Sequence, residues 1–187
     1  MNKENKLIPG LPSGFEDRWN GKLLLKKNLL KVIESNFMRF GFDPLETPSF
    51  EISENIGSFL ADDEDNPMSD VFSFKDGEKQ ITLRYDLSSP LARFVAQNNQ
   101  ELPLPYKRYA IQNVFRNEKA GNARFREFTQ ADCDIVGNVD PAQANAELCN
   151  LIVSTLLACG LNKDQFVVNI SNRKIIQGLI QELKISE

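Results

Sequence analysis

The chain of 187 residues contains no histidine. That excludes histidine-based triads, imidazole acid–base relays and histidine-ligated zinc sites together. Cysteine is scarce: Cys133, Cys149 and Cys159 are an odd number and form no C-x-x-C pair. They read as small, buried, reduced residues and not as a disulfide framework. No apolar run approaches the roughly 20 residues that cross a bilayer. Met1 to Lys6 is polar with no apolar stretch behind it, so a secretory leader is not expected. A basic excess is absent too, since 22 Lys and Arg face 26 Asp and Glu for a formal charge of −4. Nonspecific coating of DNA is therefore not expected, and any nucleic-acid contact must come from a local patch. The expectation is a cytoplasmic protein without membrane or DNA partners.

What is present suits folded protein. Hydrophobic residues make up 41% and charged residues 26%, enough for one sizeable core or two small ones. From Trp19 to Phe40 the spacing of Leu25, Leu29, Val32, Ile33, Phe37 and Phe40 predicts an amphipathic helix, with Gly41 as its left-handed stop. Phe42 to Ile52 is extended but carries Pro44 and Pro48, which suits an edge strand or an irregular one. Residues 61–70 read as a solvated acidic loop. Val71–Phe74 and Gln80–Tyr85 flank Asp76-Gly77 as a hairpin. Leu87-Ser88-Ser89-Pro90 opens a helix with serine caps that runs to about Gln97. Pro103–Asn117 and Arg124–Val136 are extended, Pro141–Cys159 is a helix ended by Gly160, Phe166–Ile170 a short strand, and Asn172–Leu183 a last helix. The order predicts an α+β fold dominated by antiparallel strands, with helices on one face.

Charge is not spread evenly. Between residues 103 and 130, Lys107, Arg108, Arg116, Lys119, Arg124 and Arg126 outnumber Glu118 and Glu127, a local +4 in a chain of −4. Such a cationic island suits an anionic ligand, phosphate above all; a solvated strand face is the plainer alternative. Strand parity adds detail. Gln112, Val114, Arg116 and Glu118 share one side of the first segment, and Arg124, Arg126, Phe128, Gln130, Asp132 and Asp134 one side of the second. Phe125, Ala131, Cys133 and Ile135 form a plausible core face. With no bulge between the two segments, both even rows make a single surface. It would carry arginines at one end, an aromatic in the middle, and a glutamine with carboxylates at the other. That set matches a ligand with a phosphate, a base and an amine or imidazole. The polar row of a half-exposed sheet remains the alternative, and the isolated Phe128 fits it least well.

Several segments carry a resemblance. Val114-Phe115-Arg116-Asn117-Glu118, a short loop, and Arg124-Phe125-Arg126-Glu127-Phe128 resemble motif 2 of class II aminoacyl-tRNA synthetases. Gly41 to Glu51 looks like their motif 1. Leu83-Arg84-Tyr85-Asp86-Leu87-Ser88 and Gln130 to Gly137 resemble more narrowly the histidyl-tRNA synthetase family, in its Arg-Tyr-Asp branch. The resemblance runs from Pro12 to about Leu183. It implies a class II antiparallel sheet flanked by helices, with residues 1–187 as a partial catalytic domain, motif 1 at about 20–51 and motif 2 at about 106–136.

The resemblance also implies roles. Arg116 would be the catalytic arginine, binding the ATP α-phosphate and stabilising charge as the histidine carboxylate attacks. Glu118 would accept from the adenine amino group, Phe128 would stack on adenine, and Arg124 and Arg126 would meet the outer phosphates. Asp86 and Gln130 would hold the substrate ammonium with Ser88 close by, and Asp134 would accept from the imidazole. Mg2+ would bridge the phosphates, with no protein metal site, and no covalent enzyme nucleophile is needed. The implied partners are histidine, ATP, tRNA and a second copy through motif 1. Motif 3, a second histidine-recognition segment and the anticodon-binding domain do not occur before Glu187, so the expectation is the amino-terminal part of a longer ligase. The noncatalytic, histidine-sensing regulatory subunit of ATP phosphoribosyltransferase, which shares the fold, is the main alternative; a module holding some other nucleotide is a third. Glu118, Arg126 and a loop of ordinary length favour the ligase.

Overall fold

The computed structural model describes residues 9–56, 71–121 and 124–183, so the acidic segment 61–70 and the polar start, Met1 to Lys6, lie outside the described residues. The apolar spacing after Trp19 becomes helix α1, Asn20–Arg39. It ends where Gly41 takes φ +76. Gly41 N–H donates to the Met38 carbonyl at 3.0 Å and Phe42 N–H to that of Phe37 at 3.2 Å, a Schellman closure that packs Phe42 beside Phe37.

The chain then supplies two three-stranded sheets. Strand β1, Asp43–Pro44, lies parallel to β5, Tyr106–Phe115, and β5 pairs antiparallel with β6, Glu127–Val136. The second sheet has the order β2 (Phe50–Ile52), β4 (Lys79–Leu83), β3 (Ser73–Asp76). Both proline-flanked pieces, β1 and β2, lie at sheet edges, as the missing proline N–H requires. The hairpin forms with Asp76 opposite Lys79, and Gly77 takes φ +61 in its two-residue turn.

Arg84 joins the sheets. It is buried, and its guanidinium donates to the carbonyls of Asn113 at 2.6 Å and Thr47 at 2.8 Å. Its backbone N–H reaches Ser49 O, and its own carbonyl accepts from Phe115 N–H, each at 3.0 Å.

Helices α1 and α3 (Pro141–Ala158) cover one face of the larger sheet, around Phe37, Phe42, Tyr109 and Leu151. Asn36, buried between them, donates to Thr155 Oγ1 at 2.7 Å and accepts from Ser154 Oγ at 3.0 Å. The Tyr109 hydroxyl, pushed up to about 12 by burial and by its hydrogen bond to Glu34, donates to that carboxylate at 3.0 Å. On the opposite face, Leu87 at the head of α2 (Ser88–Asn98) packs on Ala110, Val114 and Phe128. Helical cover is therefore not confined to one face.

Three further expectations are corrected. No strand forms at 166–170, where the segment pairs with neither sheet and Val167 and Ile170 stay largely exposed. The chain continues into helix α4, Arg173–Glu182. The predicted apolar face of α1 is buried only toward its end: Phe37 is covered, whereas Leu25 is 71% and Leu29 43% exposed. The start of α2 is capped by Asp86, whose Oδ1 accepts from Ser89 N–H at 3.2 Å, and not by a serine side chain.

Candidate functional site

The β5–β6 ladder decides which side chains share a surface. Its register is continuous from Tyr106 opposite Val136 to Phe115 opposite Glu127, with no bulge. Even residues therefore face even residues: Arg108 opposite Asp134, Ala110 opposite Asp132, Gln112 opposite Gln130, Val114 opposite Phe128. The pairing extends past the strands, since Arg116 N–H donates to the Arg126 carbonyl at 2.9 Å. Of the core row, Cys133 and Ile135 pack under the helices, but Phe125 and Ala131 remain exposed.

At the arginine end, the Arg116 guanidinium lies between two rings, 4.4 Å from the centroid of Tyr85 and 5.1 Å from that of Phe128. Arg116 and Phe128 are thus on one side of the sheet. Glu118 accepts from the Tyr85 hydroxyl at 3.1 Å on one oxygen and is ion-paired with Arg124 through the other. Arg126 is held tightly: Nε donates to the Glu118 carbonyl at 3.0 Å, Nη2 donates to the carbonyl and side-chain oxygens of Asn117, and the guanidinium lies over Phe72. Its backbone N–H reaches Gly14 O at 2.8 Å. Gly14 has φ +82, and a Cβ there would sit 2.6 Å from Arg126 Cγ, so the chain approaches this closely only as glycine.

At the acidic end, Arg108 is fully buried; its Nη2 donates to Leu87 O at 2.7 Å and lies 3.0 Å from Asp134 Oδ2. That ion pair lacks hydrogen-bond geometry. Asp134 Oδ2, Gln130 Oε1, Ser89 Oγ, and Nε and Nη1 of Arg108 are all buried without a hydrogen-bond partner among the described residues. Burial raises the Asp132 carboxyl above the ordinary range; Arg108 and Arg116 pull it down while Asp134 and Asp86 push it up. Asp132 and Asp134 thus both feel the charge of one buried arginine, Arg108, with Asp86 adding repulsion at Asp132. Asp86 is half-buried, and Ser88, beside it, is exposed.

The ladder and its extension bring Arg116, Arg126, Phe128, Gln130 and Asp134 into one row, and Tyr85 ties Glu118 to it. Arg124 is placed on Glu118 at the exposed rim. Sequence reasoning gave Tyr85 no role and counted Arg108 in the cationic island, whereas the structure buries Arg108 against Leu87 and Asp134. Parity carried back two more pairs would have set Arg108 opposite Asp134, but Tyr85 reaches the row from outside the ladder and left no periodic signal. Chemically, the surface offers a cation to developing negative charge, an aromatic face to a planar base, and acceptors to an ammonium or imidazole.

Comparison with known proteins identifies the family. A family model described as histidyl-tRNA synthetase matches residues 14–187. The chain is 83% identical to the histidine–tRNA ligase of Pelagibacter ubique (strain HTCC1062) over 187 residues, which is 100% of this chain and 40% of that protein. A crystal structure of histidyl-tRNA synthetase from Nostoc sp. PCC 7120 superposes with a TM-score of 0.79 at 30% identity, over 95% of this chain and 40% of that one. The fold alone is shared, at 24% identity and a TM-score of 0.70, with a structure from Bacillus halodurans C described as an ATP phosphoribosyltransferase regulatory subunit/histidyl-tRNA synthetase, over 87% of this chain and 40% of that one. The chain spans about 40% of the length of the first of these relatives. By motif order, sheet register and these matches together, the chain belongs to the histidyl-tRNA synthetase family.

Proposed function

We propose that this chain forms the ATP- and histidine-binding part of a cytoplasmic histidine–tRNA ligase that makes histidyl-adenylate and transfers histidine to tRNA. The observation that carries the reading is the unbroken β5–β6 register, which with its extension sets the Arg116 cation, the Phe128 ring and two buried acceptors without hydrogen bonds, Gln130 and Asp134, in one row. In the reaction, the histidine carboxylate attacks the α-phosphorus in line and pyrophosphate leaves. Arg116 stabilises the negative charge that builds on the α-phosphate oxygens, where an oriented cation outperforms water. Phe128 carries the adenine and Glu118 accepts from its amino group, while Arg124 and Arg126 meet the outer phosphates. Asp86 and Gln130 receive the substrate ammonium with Ser88 close by, and Asp134 receives the imidazole. Catalysis is positioning and electrostatics, with no covalent enzyme intermediate.

Mg2+ belongs to the nucleotide in this reading. Among the described residues no group of three His, Cys, Asp or Glu side chains is placed to hold an ion. No helix of the described residues is long and apolar enough to cross a membrane. A second copy would cover the exposed apolar residues of α1, Leu24, Leu25, Leu29 and Val32.

In the full-length protein, Arg116→Ala is expected to slow histidine-dependent ATP–pyrophosphate exchange by about 10²–10³-fold; near-normal exchange overturns the role given to Arg116. Calorimetric titration separates the other readings. Cooperative binding of ATP and histidine supports the ligase, histidine alone a regulatory subunit, and neither a module for another nucleotide.

A further inference from the structure

Tyr85 touches both halves of the nucleotide site. Its ring lies under the Arg116 guanidinium at 4.4 Å, its carbonyl lies 3.5 Å from Arg116 Nε, and its hydroxyl donates to Glu118 Oε1 at 3.1 Å. The residues on either side fix it. Arg84 is locked into both sheets, and Asp86 caps α2 through Ser89 N–H. Tyr85 therefore has little freedom beyond its own two side-chain torsions. Phe128 closes the other contact on Arg116, so the guanidinium is caged by two rings before any ligand arrives.

We infer that Tyr85 is a positioning residue that couples the base-reading carboxylate, Glu118, to the phosphate-binding arginine, Arg116, through a single rigid side chain. The inference rests on the ATP-site reading above. A long guanidinium held between rings loses its rotamer freedom on folding and not on binding, which preorganises it for the reacting phosphate. The hydroxyl does a separate task. It holds one carboxylate oxygen of Glu118 in place, so the group that meets the base is oriented before the nucleotide is read. The two functions sit on different atoms of one residue, and different substitutions separate them.

The test uses the full-length protein and histidine-dependent ATP–pyrophosphate exchange. Tyr85→Phe keeps the ring and removes only the hydroxyl. It is expected to raise KM for ATP at least threefold, with kcat and KM for histidine within twofold of the parent. Tyr85→Leu removes the aromatic face and is expected to lower kcat at least tenfold. A smaller rise in KM for ATP in Tyr85→Phe, or an equal rise in KM for histidine, overturns the inference, and so does a folded Tyr85→Leu with parental kcat. If Tyr85→Leu does not fold, the isosteric Tyr85→Phe still decides. Arg116→Ala run alongside distinguishes the failures. Exchange retained in Arg116→Ala removes the ATP-site reading itself, whereas exchange lost there but parental in both Tyr85 variants removes only the role of Tyr85.

Discussion

Arg84, Tyr85 and Asp86 are neighbours in the chain with three different tasks: a buried joint between sheets, a cradle for Arg116, and a helix cap facing the carboxylate cluster. A residue's chemical type announces its repertoire, but the groups it meets select one use. Asp132 shows this energetically. Its carboxyl is raised mainly by burial, so the native state holds a proton more tightly than the unfolded chain does. Stability must then fall as pH rises from the unfolded value, about 3.9, through the higher native one. Asp132→Asn is expected to equal the parent in stability at the acid end of that window and to gain on it with rising pH. Urea denaturation across a pH series checks this, and a difference independent of pH would count against it. Cys133, in the next position, is pushed up to about 12, chiefly by burial, which keeps it a thiol.

Elements behave as their periodicity demands only where a partner surface exists. The ends of α1, the turn at Gly77 and the long β5–β6 ladder were legible because each is set by neighbours within a few residues or by strand parity. The strand expected at 166–170 was not, because apolar alternation predicts a strand only if an edge accepts it. A contact invisible to pattern also ties β2 to α2. Arg93 grips Glu51 with two bonds of 2.7 Å, and the Glu51 side chain is only 4% exposed. Arg93→Ala strands a buried carboxylate, at a cost of about 3 kcal/mol. The expected fall in Tm is roughly 6–12 °C for a chain of this size, measured by calorimetry. A fall under about 2 °C would mean that water replaces the arginine at Glu51.

At the scale of the molecule, α1 leaves Leu24 and Leu25 more than half exposed, and α4 does the same with Ile175 and Ile176. Contiguous apolar surface on a folded protein is usually covered. The 187-residue chain is therefore expected to self-associate, with sedimentation equilibrium giving a mass that climbs above 21.2 kDa as concentration rises. A constant monomer mass at high concentration would remove the proposed second copy.

The sequence alone determined the α+β order, the edge placement of the proline-flanked strands, and the row holding Arg116, Phe128, Gln130 and Asp134. Helical spacing, proline's missing N–H and the two-residue alternation of strands are all local properties of the chain. Only the tertiary structure decided that Arg84 bridges two sheets, that Arg108 is fully buried with its guanidinium on the Leu87 carbonyl, and that Tyr85 lies under Arg116. Those contacts join segments 21 to 37 positions apart, and side-chain periodicity holds no information about which distant segment will arrive.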